Sequence, residues 1–477
     1  MQFYSLPFLL VLGVSAFFYY RVKPRNQAVY LSLVSIIFYA LWSIPYAVLL
    51  FLIAWVVFLV AKRMEYSVEN IKYREAMFAV GALLLVLGIF KYAGELAEFF
   101  SVDAPFLGML APVGISYYTF KLISYVVDVY SGKLVPEKSF AMFFSYVAFF
   151  PQILAGPIQR AVDFLPQISS PHPPNVSMVT SGLRLILFGI FKKLVIADAL
   201  SLVVAEGFKE PGSYSGLELL IISYLFAIQL YADFSGITDI AIGSARLFGI
   251  TIPKNFANPF YAPTIQDFWR RWHMTLTAWL TDYVFLPLRM YMRYWGAIGL
   301  AISIFVNMVL IGLWHGASAN FILFGILQAV YMIVSVFTLK ARDRMFARVP
   351  IVLQKLRSLW QPMTVFTCIA LSLILFRAQS FREVALFFGG LSTLLHDISL
   401  HHLRETLVVT LGDTRLAVVL VGLILMEAIH IGWSVERVKA WMVRLPRALR
   451  WSVYYAMIMA IVFFGDQTSR AFIYFQF

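Results

Sequence analysis

The sequence has little charge and almost no cysteine. Of its 477 residues, 13% are charged and 61% are hydrophobic, whereas a soluble domain has about 25% charged and about 45–50% apolar residues. This composition excludes an ordinary soluble enzyme. The single cysteine, Cys368, excludes an internal disulfide, a cysteine-rich zinc site and an iron–sulfur cluster.

Several common catalytic motifs are also absent. The sequence has neither a P-loop nor a Gly-x-Gly-x-x-Gly fingerprint, and the serines of Gly212–Gly216 stand at the wrong offsets for a hydrolase elbow. The clustered histidines His396, His401 and His402 do not share a helical face and have no accompanying Glu-x-x-His. We therefore expect a solvated loop there, with no metal and no bound cofactor.

Long apolar runs dominate what remains. The excess of 13 positive charges is compatible with nucleic acid binding, but 17% aromatic residues and a mean hydropathy of +0.81 favour lipid and no nucleic acid. A membrane helix needs about 20 mainly apolar residues, so the sequence predicts an all-α, polytopic membrane protein. We count roughly eleven to thirteen crossings or half-crossings on this measure. The runs are Phe3–Tyr20, Ala28–Trp42, Tyr46–Ala61, Met77–Phe90, Phe106–Val127, Phe140–Leu154, Leu219–Tyr231, Ala297–Trp314, Phe321–Phe337, Met363–Phe376, Leu416–Ile431 and Val453–Phe464.

Basic clusters predict the sidedness. Arg21–Arg25, Lys62–Arg74, Lys340–Arg348 and Arg437–Arg450 are separated by even numbers of crossings, which places all four in the cytoplasm and both termini outside. No repeat or flexible linker interrupts the chain. The simplest organisation is one membrane-embedded domain over residues 1–477, with N-terminal spans in 1–100, a catalytic core in 111–340 and C-terminal spans in 360–477.

One polar region interrupts the apolar pattern between Tyr231 and Tyr283. Asp233 and Ser235 lie in an apolar run, where polar residues are costly and indicate function. By themselves, they are better explained as caps of a helix broken at Gly236 than as catalytic residues.

Further along this region, Thr264 and Asp267 form a capping box that predicts a helix from Ile265. On that helix, Trp269 and His273 share a face and Arg270 and Arg271 point elsewhere. The alternative is an interfacial amphipathic segment in which Trp269 lies in the headgroup belt, the arginines meet phosphates and His273 is structural.

The second polar region is Asn307–Asn320, which contains Trp314 and His315 between two apolar runs. A neutral imidazole tolerates such a depth and exchanges protons near pH 7. It could deprotonate an acceptor hydroxyl, which then attacks a bound thioester without a covalent enzyme intermediate. A histidine that only packs between helices is the competing explanation.

Several motifs in the same order resemble the membrane-bound O-acyltransferase (MBOAT) family, in particular its bacterial branch. They cover the chain from about Ala111 onward. The resemblance implies an all-α fold of about eleven transmembrane helices plus re-entrant and interfacial helices in the cytoplasmic (inner) membrane. The matching stretches are Asp267–His273, Leu313–Gly316, Pro112–Phe120, Phe149–Ile158, Asp233–Gly236, Leu375–Ala378 and Phe472–Phe477.

The resemblance implies that His315 is the catalytic base and that His273 has a supporting catalytic role. We expect the surrounding polar and aromatic side chains to bind substrate; these are Trp314, Asn307, Asp233, Ser235, Trp269, Arg270 and Arg271. The implied reaction moves an acyl group, acetyl above all, from a cytoplasmic thioester to an extracytoplasmic polysaccharide. Its donor would be acetyl-CoA or the thioester of a cytoplasmic acyl carrier.

Other functions stay open on the sequence alone. Met274 and Thr281 lean toward D-alanyl transfer to teichoic acid. A secondary transporter ranks low because the polar motifs occur only once along the chain. A structural subunit of an export complex does not explain the cost of keeping His315 in an apolar region. Besides membrane lipid, we expect an extracytoplasmic acetyltransferase- or esterase-like partner, because the external segment Gln379–Asp413 is too short for an independent domain.

The predicted sidedness can be tested by cysteine accessibility in a Cys368→Ala background. A cysteine added beyond Phe477 should react with an impermeant thiol reagent in intact cells, whereas a cysteine at position 344 should not. The reverse labelling pattern would invert the topology and the side from which the donor arrives.

Overall fold

A computed structural model of the chain describes residues 3–99, 112–170, 176–395, 400–434 and 446–465. Within these ranges the chain is helical and contains no β-strand, as the sequence predicts. The chain divides into two compact units, which are residues 1–186 with 237–254 and residues 187–236 with 255–477. The expectation of a single domain stays a prediction.

The helices of the first unit start at residues suited to helix N-termini. Ser5 accepts a hydrogen bond from the amide of Phe8, and Pro24 stands in the first turn of its helix, where a missing N–H costs nothing. The helices that begin in this unit are α1 (Leu6–Tyr19), α2 (Pro24–Ala40), α3 (Ile44–Met64), α4 (Glu69–Phe99), α5 (Ile115–Tyr130), α6 (Phe140–Ala148), α7 (Ala161–Ser169) and α8 (Val176–Phe191).

Two of the motifs that carry the family resemblance meet in this unit. Gly114 adopts φ +78°, and a Cβ there would collide with the carbonyl oxygen of Ile153. Only glycine therefore permits this close approach. The buried Lys121 donates to the carbonyl of Tyr146 at 2.7 Å and to Oε1 of Gln152 at 3.0 Å, which holds the turn that follows α6.

Two predicted spans of this unit differ from the structure. The run Phe140–Leu154 forms only the nine-residue helix α6, which is too short to cross a membrane, because Pro151 and the following turns end it. For the run Phe106–Val127, residues 106–111 lie outside the described part of the chain, and the helix begins at Ile115.

The second unit contains the predicted catalytic residues. Its helices are α9 (Asp198–Lys209), α10 (Gly216–Leu247, shared with the first unit), α11 (Ile265–Arg271), α12 (Met274–Leu280), α13 (Leu286–Tyr291), α14 (Gly296–His315), α15 (Ala319–Phe346), α16 (Ile351–Arg377), α17 (Phe381–Leu391), α18 (Leu400–Leu411), α19 (Asp413–Ser434) and α20 (Arg447–Phe464). Two π-helical segments, Lys192–Ala197 and Thr281–Phe285, join α8 to α9 and α12 to α13. The 3₁₀ turns are Pro211–Ser213, Pro259–Tyr261, Arg293–Trp295 and Ser392–Leu395.

Eight helices in the described ranges are long and apolar enough to cross a membrane. The spans are Ile44–Met64, Glu69–Gly94, Gly216–Leu247, Arg293–His315, Ala319–Phe346, Leu356–Arg377, Asp413–Ile431 and Arg447–Phe464. Apolar side chains are exposed on them; Leu52 is 52% exposed and Phe78 is 72% exposed, as expected of surfaces that face lipid. The chain is a multi-pass membrane protein, and the expectation of about eleven spans stays a prediction.

The prediction of a solvated loop around His396, His401 and His402 is partly wrong. His401 and His402 lie at the start of helix α18, while His396 lies outside the described residues. The segment Gln379–Asp413, expected to hold one amphipathic helix, contains α17, a 3₁₀ turn and α18.

Glycines let α14 and α15 pack closely. A Cβ at Gly312 would collide with the carbonyl oxygen of Phe321, and a Cβ at Gly325 would lie 2.9 Å from that of Met308. Small residues of this kind permit close backbone approach between membrane helices. The two helices therefore form a tight hairpin with His315 at its turn.

We predict that Gly312→Ala lowers the midpoint of thermal unfolding in detergent, because overpacking costs about 1–3 kcal/mol. The matched control is Gly88→Ala in α4, where nothing lies within 4 Å of the added Cβ. That substitution should be neutral or stabilising by up to about 1 kcal/mol, since alanine favours the helix. Equal shifts for both variants would contradict the close packing.

Candidate active site

His315 is the last residue of α14 and lies at the junction of three helices. It is 7% exposed. Its ring packs edge-on against Phe376 of α16, with 4.7 Å between centroids, and lies 6.1 Å from the ring of Phe321 in α15. These aromatic walls shield the imidazole from water, which suits a general base that must remain neutral.

A chain of buried hydrogen bonds connects the helices around His315 to Trp269, which lies in the first polar region of the sequence. Trp269 Nε1 donates to Oε1 of Gln328 in α15 at 3.2 Å, and Gln328 Nε2 donates to Oγ of Ser372 at 2.7 Å. Ser372 lies one helical turn before Phe376 on α16. Trp269 is therefore held by the same two helices that surround His315.

Two further predicted substrate-binding residues lie on α14 with His315. Trp314 is 6% exposed and Asn307 is 4% exposed. The side-chain oxygen of Asn307 is buried and has no hydrogen-bond partner among the described residues. A buried amide oxygen left in this state is costly, and it can accept a hydrogen bond from a ligand hydroxyl or amide.

His273 does not lie on the helix that the sequence predicts. The capping box is confirmed at its threonine, because Thr264 Oγ1 accepts from the amide of Asp267 at 3.1 Å, and α11 begins at Ile265. The helix ends at Arg271, however, and His273 adopts the left-handed conformation with φ 41° and ψ 51° before α12 begins. Trp269 and His273 therefore do not share a face of one helix.

The segment around Asn255 stabilises this break. Its carbonyl accepts from the amide of Met274 at 2.9 Å, and its side-chain oxygen accepts from the amide and the hydroxyl of Thr275 at 3.2 and 2.6 Å. The amide of Ala257 donates to the carbonyl of Arg271 at 3.0 Å. Backbone groups left unpaired by the break are thus satisfied by the neighbouring segment.

His273 combines backbone strain with an unpaired side chain. A residue other than glycine in the left-handed region costs about 1–3 kcal/mol. The ring is 1% exposed, packs edge-on against Phe234 of α10 at 4.7 Å, and has no hydrogen-bond partner in another described residue. Burial lowers its pKa to about 3, so the imidazole is neutral at physiological pH. A strained turn that carries an unpaired neutral imidazole is typical of a functional position.

A buried group of charges surrounds Asp233 and Ser235. Lys193 Nζ lies 2.8 Å from Oδ1 of Asp198 and 3.1 Å from Oδ1 of Asp233. Lys192 Nζ donates to Oγ of Ser235 at 2.9 Å. All five residues are at most 3% exposed. Helix α10 continues through Asp233 and Ser235 without a break. The alternative explanation that these two residues cap a broken helix is therefore wrong.

The two predicted arginines lie at the end of α11. Arg270 is exposed, while Arg271 is partly buried and forms an ion pair with Asp267 at 2.8 Å, one turn earlier. Such a pair between partly exposed residues contributes about 0–1 kcal/mol. Arg270 is therefore accessible to an anionic group, and little free energy opposes the exchange of Asp267 for such a group at Arg271.

Sequence reasoning did not identify several residues of this region. Lys192 and Lys193 interrupt an apolar run of α8 and its π-helical continuation, so intramembrane charge could have indicated them. Phe376 falls in the motif Leu375–Ala378, which the family resemblance already contained. Gln328 and Asn255 carried no signal beyond being polar in an apolar or aromatic setting.

The comparison with known families identifies the family of the chain. The model of the membrane-bound O-acyltransferase family, MBOAT, matches residues 133–376, just over half of the chain. The chain belongs to the MBOAT family. It is a membrane O-acyltransferase, and the family resemblance seen in its motifs is confirmed. The matched residues include both His273 and His315.

Curated relatives of this MBOAT chain carry the names of acyl-transferring enzymes. It is 32% identical to a Pseudomonas putida protein named probable alginate O-acetylase AlgI, over 70% of each chain. It is 30% identical to the peptidoglycan O-acetyltransferase of Helicobacter pylori, over 81% of this chain and 77% of that protein. It is 29% identical to the teichoic acid D-alanyltransferase of Bacillus subtilis, over 54% of this chain and 73% of that protein.

The strain at His273 predicts that glycine and alanine variants differ in stability in opposite directions at positions 273 and 315. At position 273, glycine should be more stable than alanine by about 1–2 kcal/mol, because it adopts the left-handed conformation without a Cβ clash. At helical position 315, alanine should be more stable than glycine by about 0.5–1 kcal/mol. Thermal unfolding of the four purified variants tests this. The same order at both positions would contradict the strained turn.

Proposed function

We propose that this acyltransferase takes an acetyl group from a cytoplasmic thioester and transfers it across the cytoplasmic membrane for O-acylation of an extracytoplasmic polysaccharide. The observation that carries the proposal is the burial of His315 among aromatic rings at the end of a membrane-spanning hairpin. Relatives matched over most of this chain include a probable alginate O-acetylase and a peptidoglycan O-acetyltransferase, and these names favour acetyl.

His315 acts as the general base in this proposal. Its neutral imidazole accepts the proton of the acceptor hydroxyl while the oxygen attacks the thioester carbonyl. The carbon–sulfur bond then breaks, and the departing thiolate takes the proton from the imidazolium. The products are an oxygen ester and a free thiol, with no net change in protons. No enzyme nucleophile is needed because the acceptor itself attacks.

The remaining predicted residues position the reactants. His273 stays neutral, so its free ring nitrogens can orient the donor or acceptor by hydrogen bonds rather than transfer a proton. Asn307 offers its unpaired oxygen, Trp314 and Trp269 provide apolar walls, and the mobile charge of Arg270 and Arg271 suits a donor phosphate. Asp233 and Ser235 contribute by holding α10 through the two lysines.

His315→Ala should lower acyl transfer about 10²–10⁴-fold, the usual contribution of a general base, and His273→Ala should lower it less. The measurement is release of free thiol from acetyl-CoA, or from an acetylated carrier protein, by monodisperse protein in detergent. Near wild-type turnover of His315→Ala would overturn its assignment as base. Equal losses in the single-turnover rate, with donor affinity unchanged, would place both histidines in the chemistry.

D-alanyl transfer is the second candidate, because the teichoic acid D-alanyltransferase is also similar to this chain. A D-alanyl carrier thioester offered in the same assay separates the two functions. Turnover with the D-alanyl thioester, but not with acetyl-CoA or an acetylated carrier, would reverse the assignment of the acyl group. The transporter alternative has no support in the family match.

We propose further that a separate extracytoplasmic protein completes the transfer to a polymer. In vesicles with acetyl-CoA on one side and polysaccharide on the other, polymer acetylation should require addition of that acetyltransferase- or esterase-like partner. Acetylation by the purified chain alone, at a rate unchanged by the partner, would place a complete acceptor site within this protein.

A further inference from the structure

A buried histidine outside the predicted site contacts the helix that supports His273. His430, on α19, is 7% exposed. Its Nε2 lies 3.3 Å from the hydroxyl of Tyr231 on α10. Its Nδ1 lies 3.5 Å from Oε1 of Glu427, one turn earlier on its own helix.

The carboxylate of Glu427 determines which ring nitrogen of His430 donates a hydrogen bond. Glu427 is itself held by the hydroxyl of Tyr261, which donates to its Oε2 at 2.7 Å. A carboxylate only accepts, so a hydrogen bond to Glu427 places a proton on Nδ1 of His430, and Nε2 is the ring nitrogen that faces the hydroxyl of Tyr231. Rings of Phe188 and Tyr231 contact the imidazole edge-on at 5.7 and 5.5 Å. The ring orientation is thereby defined from three sides.

Tyr231 links this histidine to the strained turn in two ways. Phe234 lies three residues further along α10, on the same side of the helix, and its ring packs 4.7 Å from His273. The ring of Tyr231 also packs 5.4 Å from Phe256, which in turn contacts Trp272, the residue before His273, at 5.1 Å. The first route runs along one side of α10 to a ring that packs on His273, and the second passes through ring contacts to the residue bonded to His273.

The loop that supports the turn is attached to the same helix. Asn258 Nδ2 donates to the backbone carbonyl of His430 at 3.4 Å. Asn258 follows the Asn255–Ala257 segment whose backbone pairs with the break between α11 and α12. Helix α19 thus contacts both α10 and this loop at His430.

We infer that His430, oriented by Glu427, is a positioning residue that acts through Tyr231 to keep His273 in its left-handed conformation. The inference rests on the proposed role of His273 in acyl transfer. It assigns no contact between His430 and either substrate.

A double-mutant cycle tests this action through His273. His430→Phe keeps an aromatic ring but loses both hydrogen bonds, and it should lower kcat/KM about tenfold. In a His273→Ala background, the same substitution should change kcat/KM by less than about twofold, because the residue it positions is gone. Equal effects in both backgrounds would overturn the inference.

Two tyrosine variants provide matched controls. Tyr231→Phe removes only the hydroxyl that faces His430 and should reproduce most of the loss. Tyr224→Phe removes a hydroxyl on the same helix that bonds Thr367 at 2.9 Å, and it should leave kcat/KM unchanged. His430→Gln, which retains an acceptor for Tyr231, should restore part of the activity. Equal losses for the two tyrosine variants, or no rescue by glutamine, would make the role of His430 merely structural.

Hydrogen exchange decides the inference independently of catalysis. In His430→Phe, the amides of residues 272–277 should exchange faster than in the wild type, while those of residues 303–311 in α14 should not change. Unchanged exchange in the turn would overturn the inference even if activity falls. If the wild type releases no thiol from any donor, the proposed function fails, and the exchange data still test the link.

Discussion

The ion pairs of Lys193 with Asp198 and Asp233 stabilise the position of α10. The surroundings of His273 and His430 both depend on that helix. The ion pairs connect α9 to α10 through three side chains that are almost fully buried. Removing one partner of such a buried pair typically costs about 3–5 kcal/mol, because a charge is left uncompensated. The position of α10 determines where Phe234 meets His273 and where Tyr231 meets His430. A charge network remote from the reacting groups thus sets the geometry of the turn.

The two catalytic candidates are held by different physical means. His315 ends a regular helix, and its place follows from close glycine packing of the hairpin and from the aromatic side chains of α15 and α16. His273 instead depends on a backbone conformation that its own residue type disfavours, maintained by Asn255 and by packing against α10. The first arrangement resists displacement as a unit, whereas the second stores strain that neighbouring contacts must balance.

Much of the helical architecture could be predicted from the sequence, and the reasons are local. Apolar runs located the long spans, and Thr264 with Asp267 located the start of α11, because capping depends only on residues close in the chain. The break at His273 could not be predicted in this way. Its hydrogen bonds come from Asn255, 18 residues earlier, and periodicity favours one continuous helix over it.

The same limit explains the role of Asp233 and Ser235. Beside Gly236 they match the pattern of a helix cap, yet their partners Lys192 and Lys193 lie some 40 residues earlier in the chain. Intramembrane polar residues could be recognised by their cost, but their partners could not. Phe376 could be predicted only in part. Its motif is visible in the sequence, but its contact with His315 depends on the packing of α16.

The π-helical segment that carries both lysines makes this arrangement sensitive to chain length. A π turn contains one residue more than the α-helical path it replaces, and each residue of an α-helix advances the chain by about 100° around the axis. Phe188 before the segment faces His430, and Asp198 after it faces Lys193. Loss of a single residue between Phe188 and Asp198 would turn one of these side chains away from its partner. The number of residues in this segment is therefore as constrained as the identity of its two lysines, whereas exchanges between apolar side chains in its remaining positions leave both contacts in place.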